Sequence, residues 1–175
     1  MNSAAISAGP VAVPGPAPRW LGLRILLGLV AIIELIYSHV GASMLLGDMT
    51  VFPGPGIRGA LLKLDMATHP VLALAALILA AIGRTRHAIL VLGAVVLTSW
   101  LSIMPSVVLH GLGGDSGAAL TQAQVIVFPL TGVCAIALAA RNQWPWLAAA
   151  MVSIPTFMGT LSFVLFTIAV TIVGF

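Results

Sequence analysis

Five long apolar stretches dominate the pattern of hydrophobic and polar positions, and short polar or Pro-Gly-rich segments separate them. They cover Leu21–Leu46, Leu64–Ile82, Ala88–His110, Gln122–Ala140 and Trp146–Val173. Each has about the 20 residues that an α-helix needs to cross a hydrocarbon core of about 30 Å. The pattern therefore predicts an all-α, polytopic transmembrane helix bundle with about five spanning helices.

The segments outside these stretches set the domain organisation. Residues 1–18 are rich in Pro, Ala and Gly, and they form a tail without a core of its own. Residues 19–175 then make up a single transmembrane helical domain. The connection between the first two stretches is the longest, and an alternative with six membrane segments makes Val51–Leu62 a re-entrant segment.

Composition narrows the class of protein further. Hydrophobic residues make up 61% of the 175 residues and charged residues only 6%, whereas soluble domains carry about 25% charged residues. This excludes an ordinary soluble enzyme and a disordered protein, and the single cysteine, Cys134, excludes an intrachain disulfide. The net charge of +3 comes from few basic residues placed beside the spans, so we expect a lipid bilayer and no nucleic acid as partner.

The basic residues predict an orientation in the plasma (inner) membrane. Five of the seven lie beside the start of the first stretch or in the 2–3 and 4–5 connections: Arg19, Arg24, Arg84, Arg86 and Arg141. The other side has only Arg58 and Lys63. Because basic residues concentrate on the cytoplasmic side, we expect the N-terminus inside and the C-terminus outside.

Ionisable residues inside the spans are the candidates for function, because they are costly in lipid. His39 and His69 fall about 10 Å and 7 Å inside the outer ends of their predicted helices, and His110 ends the third. We therefore expect these three histidines to approach one another in the outer leaflet, with Asp65 beside them.

Asp65 and His69 are four residues apart and share one helix face. Together with His39 and His110 they form a candidate metal site, since imidazoles with a carboxylate suit copper, zinc or iron. Two imidazoles from facing helices are also typical of a haem b site. The alternative is a structural Asp–His ion pair.

Glu34 lies about 18 Å from the outer end of the first helix, close to the midplane. We interpret it as a proton relay or a ligand, or else as a neutral side chain bonded to Tyr37, Thr131 or Thr160. Gln122 and Gln124 open the fourth helix and are candidates for supporting hydrogen bonds to the site, with a plain interfacial helix start as the alternative.

Three functions remain open, and no catalytic residue is identified. The first is a small redox-linked subunit of a larger membrane complex, a part of an oxidoreductase or electron-transport system that works beside other membrane subunits. The second is a small proton- or cation-coupled transporter or channel that uses Glu34 and the histidines. The third is a purely structural or assembly subunit.

Overall fold

The computed structural model describes residues 18–45, 56–111 and 122–173, and these form helices joined by short turns, with no strand among them. The helices are α1 (Pro18–Leu45), α2 (Gly56–Ala81), α3 (Thr85–His110), α4 (Phe128–Ala140) and α5 (Pro145–Val173). A π-helical turn, Ala123–Val127, leads directly into α4. The predicted all-α bundle of about five helices is confirmed.

The lengths of these helices match a membrane environment. Four helices among the described residues are long and apolar enough to cross a bilayer, and a shorter apolar helix covers Gln124–Ala140. Large apolar side chains cover the outside of the bundle, for example the stripe of Ile25, Leu29, Ile32 and Ile36 on α1. Exposed side chains of this kind are stable in lipid, so the chain is a multi-pass membrane protein.

One predicted boundary is wrong. The helix α2 begins at Gly56, eight residues before the predicted Leu64. The reason is that hydropathy marks the apolar part of a helix, and the first two turns of α2 carry the polar Arg58 and Lys63. Residues 56–62 of the alternative re-entrant segment therefore belong to α2, and residues 51–55 lie outside the described residues, as does the tail up to residue 17.

The bundle is arranged around α3, which contacts all four other helices, while α1 also packs on α5. Small residues make this close packing feasible. The alanines Ala76 and Ala80 of α2 and Ala135 and Ala139 of α4 are buried. The helices can therefore approach one another closely at these positions.

Arginine side chains tie helix ends together at the end of the bundle that holds the 2–3 and 4–5 turns. Arg24 of α1 donates hydrogen bonds to the carbonyls of Ala80 and Ala81 at the end of α2. Arg86 of α3 donates to the carbonyl of Ala140, the last residue of α4, at 2.8 Å. Cations stabilise the unpaired carbonyls at helix C-termini.

A buried carboxylate–imidazole cluster as candidate functional site

The inward face of α1 presents Glu34 and Ser38, which the sequence predicts to share a face, and both are buried. Ser38 bonds only to its own helix, through the carbonyl of Leu35. Glu34 is 9% exposed, and both of its carboxylate oxygens have partners on other helices. The hydroxyl of Thr156 on α5 donates to Oε1, and Oε2 lies 2.8 Å from Nε2 of His69 on α2.

His69 is bonded on both edges of its ring. On the side opposite Glu34, Nδ1 lies 3.8 Å from Asp65 Oδ1 and 3.3 Å from the hydroxyl of Ser99 on α3. Ser99 donates to Asp65 Oδ1 at 3.1 Å, and Ser102 donates to Asp65 Oδ2 at 3.5 Å. The imidazole thus lies between two carboxylates and links them.

Four helices supply this polar cluster of Glu34, Asp65, His69, Ser99, Ser102 and Thr156. Both acidic side chains that the structure describes, Glu34 and Asp65, belong to it. Their side chains and that of His69 are 11–15% exposed. Ionisable groups at such positions in a membrane protein are costly and mark functional sites. The hydrogen bonds and the carboxylate–imidazole contacts offset that cost.

The depth of His69 explains how it meets Glu34. Because α2 begins at Gly56, His69 is thirteen residues, or about 20 Å, from the start of that helix. Glu34 is eleven residues, or about 17 Å, from the end of α1. The antiparallel pair of α1 and α2 therefore brings the two side chains to one level. The depth of about 7 Å predicted for His69 is too small, because it is counted from Leu64 and α2 begins at Gly56.

The other predicted site residues have different positions. His39 lies on the exposed side of α1, and its side chain makes no hydrogen bond to another described residue. His110 is the last residue of α3, and its side chain lies outside the described part of the structure. The approach of these two histidines to His69 stays a prediction. The described partners of Glu34 are Thr156 and His69, rather than Tyr37, Thr131 or Thr160.

No group of three or more His, Cys, Asp or Glu side chains among the described residues is arranged to hold a metal ion. The geometry of the polar cluster gives the reason. Glu34 meets Nε2 of His69, whereas Asp65 meets the opposite edge at Nδ1. The two carboxylates therefore cannot converge on one ion together with the imidazole. A copper, zinc, iron or haem cofactor stays a prediction.

A cavity of about 200 Å³ adjoins the polar cluster. Glu34 and Ser99 form part of its wall, and so does Gln124 from the π-helical turn before α4. The side chain of Gln124 makes no hydrogen bond to another described residue. Gln122, the other predicted supporting amide, is exposed and does not line this cavity.

Irregular helix geometry surrounds the cavity. Pro129 has no N–H to offer the carbonyl of Val125 four residues earlier, and the indole Nε1 of Trp100 donates to that carbonyl at 3.0 Å. The π-helical turn Ala123–Val127 precedes this point, and such turns are frequent at functional sites. Pro155 interrupts the hydrogen bonding of α5 beside the cavity.

Comparisons with protein-family models, with curated proteins and with solved structures find no match to this chain.

Proposed function

We propose that the protein is a small proton-coupled membrane transporter in which Glu34 and His69 form the proton-accepting pair. The observation that carries the proposal is the 2.8 Å contact between Glu34 Oε2 and His69 Nε2 inside the bundle. A carboxylate and an imidazole in contact can exchange a proton, and histidine is suited to such exchange. Intramembrane carboxylates and histidines of this kind serve as proton relays in pumps and transporters.

The hydrogen-bonded order of the groups supports a path longer than one pair. The path runs from Glu34 through the two nitrogens of His69 to Ser99 and Asp65. Imidazole can accept a proton at one ring nitrogen and release another proton from the second nitrogen, because either nitrogen can carry the proton of the neutral ring. Ser99 can pass a proton between Nδ1 and Asp65, since its hydroxyl both donates and accepts.

The cavity gives this path a place to act on a solute. Glu34 belongs both to the polar cluster and to the cavity wall. A change in its protonation therefore changes the charge that a bound solute meets. Direct sharing of one carboxylate is the simplest way to couple proton binding to solute binding, because each alters the free energy of the other.

The proposal also includes an orientation and an environment. Arg24, Arg84, Arg86 and Arg141 lie at one end of the bundle, which supports placing this end in the cytoplasm. Two of these arginines donate hydrogen bonds to carbonyls at helix C-termini, so their location at this end also has a structural cause. We infer a plasma (inner) membrane location with the N-terminus inside and the C-terminus outside. A role within a larger complex of membrane subunits stays a prediction.

The redox-linked subunit is distinguished by its cofactor. It requires a stoichiometric metal or a haem in the purified protein, whereas proton relay through the polar cluster requires neither. Elemental analysis and a visible absorption spectrum of protein purified from membranes therefore separate the two. A haem spectrum that disappears in His69→Ala would favour the redox-linked subunit over the proposed transporter.

The test of the proposed function is proton flux into liposomes that contain the protein and a trapped pH indicator. Under an imposed pH gradient, with valinomycin and potassium to balance charge, the wild-type protein should carry protons faster than empty liposomes. Glu34→Gln keeps the size of the side chain but cannot lose or gain a proton, so the protein-dependent flux should disappear. Unchanged flux in Glu34→Gln would overturn the proposal.

A further inference from the structure

The wall of the cavity beside Glu34 has an unusual combination of groups. The carboxylate residue Glu34 and the aromatic residues Trp100 and Phe128 all belong to this wall. Aliphatic side chains such as Ile103 fill much of the rest. A site of mainly apolar character with a few polar groups is typical of small-molecule binding.

The charge of the cavity wall favours a ligand that carries a positive charge. Among the described residues of the wall, Glu34 is the only one with a charged side chain, and none is a lysine or an arginine. The polar cluster behind the wall adds the carboxylate of Asp65 and a single imidazole. With both carboxylates ionised, the polar cluster carries a net charge of −1 or −2, according to the proton on His69. A cation in the cavity would compensate this charge.

The carboxylate also has free bonding capacity. An ionised carboxylate has about four acceptor positions, and the described partners of Glu34 are only Thr156 and His69. An ammonium group in the cavity can use a remaining position. Gln124 adds an amide oxygen at the wall, and indole and phenyl rings attract cations through their π-faces.

The volume limits the size of the ligand. An apolar cavity of about 150 Å³ holds benzene, while drug-sized ligands occupy pockets of about 300–1,000 Å³. At about 200 Å³, the cavity therefore fits a molecule slightly larger than benzene. Its aliphatic and aromatic walls favour an apolar body on that molecule.

We propose that this cavity binds a small organic ammonium ion with a compact apolar body, and that its ammonium group pairs with Glu34. The proposal rests on the proposed proton-coupled transport and names the class of solute. The cation and a proton compete for the same carboxylate, so binding of the ammonium ion releases the proton that Glu34 holds. Binding of the cation and binding of the proton at Glu34 are therefore mutually exclusive.

Benzylammonium is a suitable probe, and the experiment is calorimetric titration of the full chain in nanodiscs with empty nanodiscs as reference. We expect saturable binding, accompanied by proton release into weak buffer. Benzyl alcohol has nearly the same shape without the charge, and it should bind at least about tenfold more weakly, as expected for loss of a charged hydrogen bond.

Two kinds of variant locate the binding. Glu34→Gln should weaken the binding of benzylammonium at least about tenfold. Ile103→Trp should weaken the binding of both probes, because the larger side chain fills the cavity. Ser153→Ala is the matched control, because Ser153 is buried in α5 but bonds only to the carbonyl of Ala149 on its own helix. It should bind like the wild type.

Equal binding of benzylammonium by the wild type and Glu34→Gln would overturn the inference, and so would equal binding of benzyl alcohol and benzylammonium. The liposome assay separates this failure from failure of the proposed function. Proton flux that needs Glu34 without saturable cation binding would refute only the cation site. Glu34-dependent cation binding without Glu34-dependent proton flux would refute proton-coupled transport and leave the cation site standing.

Discussion

Glu34 Oε2 and His69 Nε2 lie 2.8 Å apart, and this contact joins α1 to α2 between two side chains that are nearly buried. Removing one member breaks the pair and leaves Glu34 with Thr156 as its described partner, or His69 with Ser99 and Asp65. Breaking a buried pair from one side costs about 3–5 kcal/mol, and removing both members together avoids that cost at this contact. The pair is therefore expected to contribute more to specificity and function than to net stability.

The stability of variants at this pair should be strongly non-additive. Glu34→Leu and His69→Leu should each lower the apparent Tm in detergent, by an amount that corresponds to about 3–5 kcal/mol. The double variant should be less destabilised than the sum of the two single variants, because neither group is then left alone. Additive losses, measured by thermal unfolding of all four proteins, would contradict direct pairing of these side chains.

Ser99 should matter for proton transfer, while a serine that bonds to its own helix should not. Ser99→Ala removes the hydroxyl that bonds both His69 Nδ1 and Asp65 Oδ1. We expect the protein-dependent proton flux to fall by about tenfold, as for loss of one hydrogen bond to a charged group. Ser153→Ala should keep the wild-type rate in the same liposome assay. An equal effect of the two substitutions would remove Ser99 from the path.

Hydropathy was sufficient to predict the five helices, because each span must supply a long apolar stretch whatever its packing. It was insufficient for the start of α2, since residues 56–63 are helical although they include the charged Arg58 and Lys63. The predicted depth of His69 was counted from that start. The juxtaposition of Glu34 and His69 was therefore missed, although both residues were recognised as candidates.

The hydroxyl partners were missed for another reason. Serine and threonine in apolar helices commonly bond their own backbone, as Thr98 and Thr160 do here. Nothing in the sequence separates these from Ser99 and Thr156. The one available signal was the spacing of Ser99 and Ser102, which places two hydroxyls on one face of α3.

The packing of α3 on α4 at Gly93 should be sensitive to a single methyl group. A Cβ on Gly93 would lie 2.5 Å from Cγ1 of Ile136, so Gly93→Ala requires the Ile136 side chain or the helices to shift. We expect a loss of about 1–3 kcal/mol in stability, measured by thermal unfolding in detergent. Gly28→Ala is the matched control, because a Cβ there meets nothing within 4 Å.

A second substitution checks the cause of that loss. Ile136→Ala removes the atom that the new methyl group would meet, so Gly93→Ala combined with Ile136→Ala should be less destabilised than the sum of the single variants. Additive destabilisation would indicate that Gly93 matters for a reason other than contact with Ile136.

The orientation of the bundle can be tested by cysteine labelling in a Cys134→Ser background. Cysteines introduced at Gly54 and Gly114, in the 1–2 and 3–4 connections, should react with a membrane-impermeant maleimide in intact cells. A cysteine at Arg84 or Arg141 should react only after lysis, because these positions are expected on the cytoplasmic side. The opposite pattern would reverse the orientation.

The most direct measurement of the proton-accepting role is the ionisation of Glu34, which is the only glutamate in the chain. With δ-¹³C-glutamate incorporated, solid-state NMR in nanodiscs follows this one carboxyl group as the pH is varied. Proton relay predicts that its resonance changes between protonated and ionised forms across the pH range of the flux, and that His69→Asn displaces this change. A carboxyl resonance that stays constant throughout that range would contradict proton transfer through Glu34.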